Sequence, residues 1–391
     1  MRRAEITALG ELTGDLLAAG STAVSDMHEG IAGRPFGALG SAARPAQVLH
    51  DGISSGVYAA VRLGLRAAAT AGGRAAALRA GDGAPLAATP RGSLALGALN
   101  GFLGDRLAAR GSELALPMTI RREPDDEAQP RVVVFVHGLC ETDYAWRLRA
   151  ASYGDRLRDE LGLTPLYVRY NSGLHISDNG RRLAQLLDEL SREWPRPLEE
   201  ITLVGHSMGG LVARSACHYA GLDGLPWAGA VRHVFCLGSP HLGADLEKGA
   251  NVLAWALGRL PETRALAGAL NARSAGIKDL RYGACVEEDW RDRDPDELLR
   301  DHCGDVPFLP GAAYYFVAAS LRDGPLGSLL GDLLVRVPSA SGRGSGSGRR
   351  VEFEVENGRE LSGLTHVDLL GHPAVYEQLR GWISGADRRR S

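Results

Sequence analysis

Lysine is almost absent from this chain of 391 residues, in which it occurs only at Lys248 and Lys278. Arginine therefore supplies nearly all of the 44 basic side chains, which 47 acidic side chains outnumber to give a net charge of -3. A protein that holds nucleic acid by its phosphates needs a basic surface. The charge balance gives no reason to expect nucleic acid among the partners.

Long uninterrupted apolar runs are also lacking. The longest stretch rich in alanine and leucine, residues 56–81, contains four arginines, whose guanidinium groups cannot lie in a bilayer core without large cost. Glu5, Glu11 and Asp15 interrupt the N-terminal stretch in which a signal peptide would need an apolar centre. We expect neither a membrane span nor a secretory signal, and a cytoplasmic location for the protein.

Cysteine is sparse, with five residues in the chain. Cys217 and Cys236 fall in apolar segments, where a thiol behaves as a small hydrophobic group. Cys285 and Cys303 could pair, although a reduced cytoplasmic protein is the favoured interpretation.

The first 110 residues have the pattern of helices, with Leu9, Leu12 and Leu16 on one face and glycine and proline breaks near residues 30–40 and 88–93. They contain no catalytic signature. We expect residues 1–115 to form a helical N-terminal extension. These helices could lie on a membrane or lipid surface, which would make the protein peripheral to a membrane, or pack on the rest of the chain as an accessory layer, which we favour.

The pattern changes after an acidic linker at residues 123–130. Short apolar runs rich in β-branched residues then alternate with amphipathic helices, which predicts an α/β domain over residues 116–391 with a mostly parallel sheet covered by helices on both faces. The predicted strands are Val132–Val136, Pro165–Arg169, Ile201–Val204, Val231–Leu237, Tyr314–Ala318 and Val351–Val355, and the helices are Tyr144–Leu161, Asp178–Trp194, Met208–Tyr219 and Pro373–Ser384.

The alternation of strands and helices is interrupted over about residues 243–311, a segment far longer than an ordinary connection. Three helical stretches are predicted there, at residues 251–260, 263–274 and 294–302. We interpret the insertion as a helical cap over the carboxyl edge of the sheet. Its leucines and alanines fit an apolar acyl pocket, and they fit ordinary core helices equally well.

One short segment indicates chemistry. Ser207 stands between Gly205 and Gly209, directly after an apolar strand and directly before an amphipathic helix. The G-x-S-x-G spacing in this context predicts a sharp turn that exposes the hydroxyl above the sheet, beside the free N–H groups of the helix. The alternative is a helix cap with chance spacing, since glycine is abundant in this chain.

A second segment, His137-Gly138 after the strand VVVFV, resembles the oxyanion loop of α/β-hydrolases, in particular bacterial lipases and esterases. The resemblance implies that the Leu139 and Met208 N–H groups hold the oxyanion, and that His137 organises the loop rather than acting as the base. His137, Gly138 and His206 are expected to border the substrate. His241, in the lipase-like element GSPHLG, is expected to line or support the pocket. Cys140 lacks the flanking geometry of a nucleophile.

The same resemblance supplies the acid and the base. GDLLVRVPSA follows the YYFVA strand and makes Asp332 the candidate acid, with Asp323 as its rival. THVDLLGHP precedes the last helix and makes His366 the candidate base, with His372 at a helix start as its rival. Asp368 is expected to stabilise the loop.

These residues imply a serine hydrolase that cleaves carboxylic esters through a Ser207-Asp332-His366 triad and an acyl-enzyme, with no metal and no organic cofactor. The expected substrate is a small-molecule or lipid ester. An acyltransferase or an amidase could use the same triad. A non-catalytic α/β-hydrolase scaffold is the remaining alternative, although such proteins usually lack the nucleophile or the base.

Overall fold

The computed structural model describes residues 1–124, 126–148, 152–259, 263–298, 300–321, 335–343 and 349–385. The chain divides into two compact units. The first unit contains residues 1–92, 110–114 and 249–273. The second contains residues 93–109, 115–248 and 274–391.

The first unit is helical. Helices α1 (Arg3–Leu39) and α2 (Arg44–Arg79) form an antiparallel pair, joined by a turn that begins at Gly40 with a φ of 66°. A Cβ atom added at Gly10 would lie 2.7 Å from the Cα atom of Gly73, so the two backbones touch at this point. Toward the turn, the two helices expose aliphatic side chains such as Leu39, Val48 and Ile53.

The second unit is built on a sheet. Over the described residues the sheet has seven strands in the order β1-β3-β2-β4-β5-β6-β7, and every neighbouring pair is parallel except β1 and β3. The strands are β1 (Thr119–Arg122), β2 (Arg131–Val136), β3 (Thr164–Arg169), β4 (Glu200–His206), β5 (Val231–Leu237), β6 (Ala313–Ser320) and β7 (Gly358–Ser362).

Helices cover both faces of the sheet. Because side chains alternate along a strand, Val132, Val134 and Val136 pack in one buried cluster with residues of two helices, α5 (Ile176–Glu193) and α6 (Met208–Leu222). The alternate residues Val133 and Phe135 pack in a second cluster with residues of the opposite face, which belong to α4 (Tyr153–Leu161) and to the last helix, Pro373–Ile383. This arrangement confirms the predicted α/β class.

Three predicted elements are wrong. Residues 351–355 form no strand, because Val351 bonds to a turn at Gly342; the sheet instead continues with the polar edge strand β7. The helix predicted over residues 144–161 is a 3₁₀ helix (Asp143–Arg147) followed by α4. Residues 294–302 are predicted as a helix, but the described residues of this segment form turns and irregular backbone.

The remaining helices are α3 (Pro90–Ala109), α7 (Asp245–Leu257), α8 (Arg264–Asn271), α9 (Ala275–Asp279) and α10 (Val337–Ala340), and the last helix, Pro373–Ile383, is α11. Residues 93–109 of α3 belong to the second unit, whereas the sequence places the boundary at residue 115. The predicted cap is likewise divided, because residues 249–273 belong to the first unit. No helix in the described part of the chain is long and apolar enough to cross a membrane.

Candidate active site

Ser207 lies at the apex of a strained turn between β4 and α6. Its φ of 51° and ψ of -123° fall in a region that non-glycine residues rarely adopt, and such residues cost about 1–3 kcal/mol. Gly205 and Gly209 are required by close packing, since a Cβ atom at either position would overlap backbone atoms. The Ser207 N–H donates to the Leu237 carbonyl at 2.8 Å, which fixes the turn against the end of β5.

His137 supports the loop that follows β2 and is fully buried. Its Nε2 atom accepts from the Tyr170 N–H at 3.3 Å, so its Nδ1 atom carries the proton and donates to the Gly138 carbonyl at 2.9 Å. Burial lowers the pKa of His137, which agrees with this neutral ring. Both nitrogens are therefore occupied by backbone groups, and the side chain organises the loop rather than serving as a base.

One N–H group of this loop is uncommitted. The Gly138 N–H donates to Glu141 at 2.7 Å, the Cys140 N–H to the Ser172 hydroxyl at 3.1 Å, and the Glu141 N–H to the Gly138 carbonyl at 3.4 Å. Among the described residues, the Leu139 N–H has no such acceptor. It is the residue that the sequence predicts as an oxyanion donor.

The second predicted donor is the Met208 N–H. Met208 is the first residue of α6, where an N–H group has no acceptor within its own helix. A Cβ atom added at Gly138 would lie 3.0 Å from the Cβ atom of Ser207. The loop after β2 and the start of α6 are thus brought together around the serine.

Glu141, which was not predicted from the sequence, forms an ion pair with His206, the residue before Ser207. The Glu141 carboxylate lies 3.1 Å from the Nδ1 atom of His206, and the His206 Nε2 atom lies 3.1 Å from the His366 carbonyl. Burial raises the pKa of Glu141, but the His206 charge and the hydrogen bonds from His206 and Gly138 outweigh it and lower the pKa to about 2. The carboxylate is therefore ionised.

His206 must carry two ring protons. A carboxylate and a carbonyl oxygen can only accept hydrogen bonds, so both ring nitrogens of His206 donate. The side chain is 1% exposed, which places a cation below the loop and one residue before Ser207. This position is a supporting one, although the sequence predicts that His206 borders the substrate.

His366 is buried at the start of a 3₁₀ helix (His366–Leu370), and its ring centre lies 4.8 Å from that of His206. A Cβ atom at Gly238, at the end of β5, would lie 2.9 Å from its Cε1 atom. The ring thus lies at the edge of the sheet where β4 and β5 end. Asp332 and its rival Asp323 both lie outside the described residues.

The other polar residues near the base have structural contacts. His372 caps α11 by accepting from the Ala374 N–H at 3.2 Å. Asp368 accepts from the N–H and hydroxyl of Thr365 at 2.9 and 2.6 Å, which stabilises the loop that carries His366. His241 is buried, and its Nδ1 atom accepts from Arg214 at 3.0 Å.

Helix α3 packs directly on the loop that follows β2. Its Gly97 and Gly101 face Cys140, and its Gly104 faces Asn171, at distances that leave no room for a methyl group. The Ser93 hydroxyl bonds that of Thr142 at 2.7 Å. The glycines of α3 therefore allow this helix to pack closely on the loop that follows β2.

We expect Gly101→Ala to destabilise the protein and reduce its activity. The new Cβ atom would lie 2.9 Å from the Cα and N atoms of Cys140, so the helix and the loop must separate. Overpacking of this kind costs about 2 kcal/mol of the free energy of unfolding, measurable by urea denaturation. Gly64→Ala in α2 meets open space and should raise stability by about 1 kcal/mol. Equal effects of the two substitutions would contradict the role of α3.

The cysteine thiols should resist alkylation in the folded protein. All five cysteines are free, and burial raises the pKa of every one, that of Cys140 to about 11 with a further contribution from Glu141. The thiolate is the reactive form, so iodoacetamide at pH 8 should modify the unfolded protein far faster than the folded protein. Mass spectrometry of the labelled peptides measures this, and rapid labelling of folded Cys140 would revive it as a nucleophile.

The fold can be assigned from two features together. A strand turns into a helix at a strained serine, and this turn belongs to a mostly parallel sheet. This is the α/β-hydrolase fold. Residues 127–256 match the sequence profile of the PGAP1-like alpha/beta domain, a hydrolase-type family, so the resemblance seen in the sequence is confirmed. No curated protein matches the chain.

Solved structures with this α/β-hydrolase fold include several enzymes of low sequence identity. The mature lipase BlEst2 of Bacillus licheniformis is 20% identical, over 68% of this chain and 98% of that chain, with a TM-score of 0.44. Phospholipase PlaB of Legionella pneumophila is 16% identical, over 65% and 59% of the two chains, with a TM-score of 0.40. The RedJ thioesterase of Streptomyces coelicolor, from the prodiginine biosynthetic pathway, is 22% identical, over 66% and 92%, with a TM-score of 0.35.

Proposed function

We propose that this protein is a serine hydrolase that cleaves a carboxylic ester. The observation that carries the proposal is the strained backbone of Ser207. A positive φ at a serine costs free energy, and such strain persists mainly at functional sites, where the turn must expose the side chain. The uncommitted Leu139 N–H beside this turn supports it.

The chemistry follows from these positions. Ser207 Oγ attacks the ester carbonyl while His366 removes its proton, and the negative oxygen that forms is held by the Leu139 and Met208 N–H groups. Asp332 is proposed to orient His366. The protonated histidine then gives its proton to the leaving alcohol, which departs and leaves an acyl group on Ser207. Water repeats the cycle, releases the acid and restores the serine.

Glu141 is a positioning residue in this scheme. It binds the N–H of Gly138, directly before the proposed oxyanion donor, and through His206 it reaches the backbone of the proposed base. The oxyanion loop, the elbow and the base are thereby joined by three hydrogen bonds. Their relative positions depend on one carboxylate.

A fluorophosphonate probe tests the proposal, because it labels only an activated serine. We expect a single adduct on Ser207, located by peptide mass spectrometry, that is absent from Ser207→Ala. Turnover of soluble p-nitrophenyl esters should be lost in the same variant. No adduct in well-folded protein would refute the proposal and favour a non-catalytic scaffold.

Added nucleophiles separate the hydrolase from the acyltransferase and amidase alternatives. Excess alcohol or amine will be supplied with the ester, and the products measured. A hydrolase should yield mainly the free acid. Acyl transfer to the added nucleophile as the main product would identify a transferase with the same serine.

A further inference from the structure

A cleft of about 700 Å³ in the second unit contains two arginines, one buried and one half-buried. Arg214 of α6 and Arg349 line it, together with residues 304–308 and 349–352. Arg214 lies seven residues after Ser207, so the cleft is about 10 Å further along the same helix axis. None of the groups assigned above to ester hydrolysis lines this cleft.

Arg214 is 5% exposed and has no carboxylate within ion-pair distance in the described part of the chain. Its guanidinium donates to the His241 Nδ1 atom at 3.0 Å and to the Val306 carbonyl at 3.3 Å, and lies 5.4 Å from the Phe308 ring centre. Its Nε–H has no acceptor among the residues that the structure describes. A buried charge of this kind is costly unless an anion pairs with it.

Arg349 is the second arginine of the cleft and, unlike Arg214, has one carboxylate within ion-pair distance. Its side chain is 9% exposed and donates to the carbonyl groups of His241, at 2.9 Å, and Tyr282. Its Nε–H has no acceptor among the described residues. The nearest carboxylate, that of Asp301, lies 3.7 Å from the guanidinium and is 23% exposed. Two guanidinium groups therefore converge on His241, one at its ring and one at its carbonyl group.

His241 joins the two arginines from behind the cleft and does not line it. Because its Nδ1 atom accepts from Arg214, its proton lies on Nε2, which has no acceptor among the described residues. Burial, followed by the charges of Arg214 and Arg349, lowers the pKa of His241 well below its usual value. The ring is thus neutral and can donate from Nε2 without adding charge.

The acidic side chains of the cleft do not neutralise its buried part. Asp289 accepts from the Cys285 and Val286 N–H groups at 2.9 and 3.1 Å and from the Gly304 N–H at 2.9 Å. Both of its carboxylate oxygens therefore accept hydrogen bonds from backbone N–H groups. The remaining acidic residues of the lining, Asp305 and Glu352, are exposed. Buried positive charge remains inside.

We propose that this cleft binds a compact oxyanion, a phosphate or a carboxylate group, between Arg214 and Arg349. The guanidinium group matches such anions because it donates parallel hydrogen bonds from a rigid plane and stays charged when buried. The anion would pair with the positive charge of Arg214, which no carboxylate of the described residues neutralises. The inference rests on this cleft alone and does not require the proposed ester hydrolysis.

Binding of inorganic phosphate tests the inference. We will measure the Tm of the full chain in sodium phosphate and in sodium chloride of equal ionic strength, and the Kd by calorimetry. For a Kd near 1 mM, 100 mM phosphate should raise the Tm by about 3 °C over chloride. Sodium acetate is the carboxylate probe, and the tighter of the two ligands defines the preferred anion.

Two neighbouring variants supply the contrast. Arg349→Gln should weaken binding at least tenfold, whereas Arg350→Gln, which removes an exposed charge of the same lining, should leave the Kd unchanged. Arg349→Lys keeps the charge but loses the planar donor pair, so it should bind with intermediate affinity and serves if the glutamine variant does not fold. An equal response of the wild type, Arg349→Lys and Arg350→Gln, or no phosphate effect in the wild type, would overturn the inference.

Discussion

Ser207→Ala should lower kcat for ester hydrolysis by about 10⁴-fold or more, while Ser207→Gly should lower it equally and make the protein more stable. Alanine removes the nucleophile but keeps the Cβ atom that makes the φ of 51° unfavourable. Glycine removes both, since it adopts positive φ at no steric cost. We expect the glycine variant to gain about 1 kcal/mol in the free energy of unfolding over the alanine variant.

Urea denaturation and ester turnover measured on the same three proteins check both parts. The alanine variant serves as the control for lost chemistry, because it differs from the glycine variant only in the Cβ atom. A glycine variant less stable than the alanine variant would show that the turn is unstrained. Residual hydrolysis at the wild-type rate in either variant would remove Ser207 from the mechanism.

Glu141→Gln should lower kcat/KM by about 10²-fold, which is the usual effect of disturbing one oxyanion donor. Glutamine has nearly the same shape, but without the charge it holds the His206 imidazolium and the Gly138 N–H less strongly. A hydrogen bond to a charged group stabilises by about 2 kcal/mol, so the free energy of unfolding should fall by about that amount. Glu160→Gln, which breaks a surface pair with Arg156, is the control and should change stability by less than about 0.5 kcal/mol.

The stability that Glu141→Gln loses should decrease as the pH falls. The pKa of Glu141 is lowered from 4.5 to about 2 in the folded protein, so its carboxylate contributes its full stabilisation above pH 4.5. This contribution disappears as the pH falls toward 2. The stability difference between wild type and Glu141→Gln should therefore shrink between pH 5 and pH 3, as measured by urea denaturation. A difference that stays constant would mean that the charge is not what stabilises the pair.

The central strands were predictable from the sequence because they are buried on both faces. The run VVVFV is wholly apolar, and VRHVFCL has only Arg232 at an exposed position, so the two match β2 and β5 closely. The edge strand β7, GRELS, has no apolar run, since it is largely exposed to solvent. Val351 and Phe353 are buried and alternate like a strand, yet the Val351 N–H donates to the Gly342 carbonyl of a turn and the Phe353 N–H donates to the Val351 carbonyl. Local pattern cannot distinguish these two cases.

The elbow and the loop after β2 were predictable because their spacing is local. Gly205, Ser207 and Gly209 fall within five consecutive residues. Gly205 is required by contacts within the turn, and Gly209 by the carbonyl groups of Val136 and His137. Glu141 was missed because its role depends on His206, which is 65 residues away. An acidic residue three positions after a predicted oxyanion-loop glycine is the signal that could have identified it.

The packing of α3 also determines how much of the chain the candidate site needs. Residues 127–256 match the hydrolase-type profile, yet the surface that Cys140 rests on comes from Gly97 and Gly101, which precede that segment. A chain that begins at residue 116 would keep every described strand and both partners of the ion pair. It would lack the helix that packs on the loop after β2, so we expect this loop to be less ordered in such a fragment than in the full chain. The smallest segment that keeps the candidate site intact therefore begins before α3.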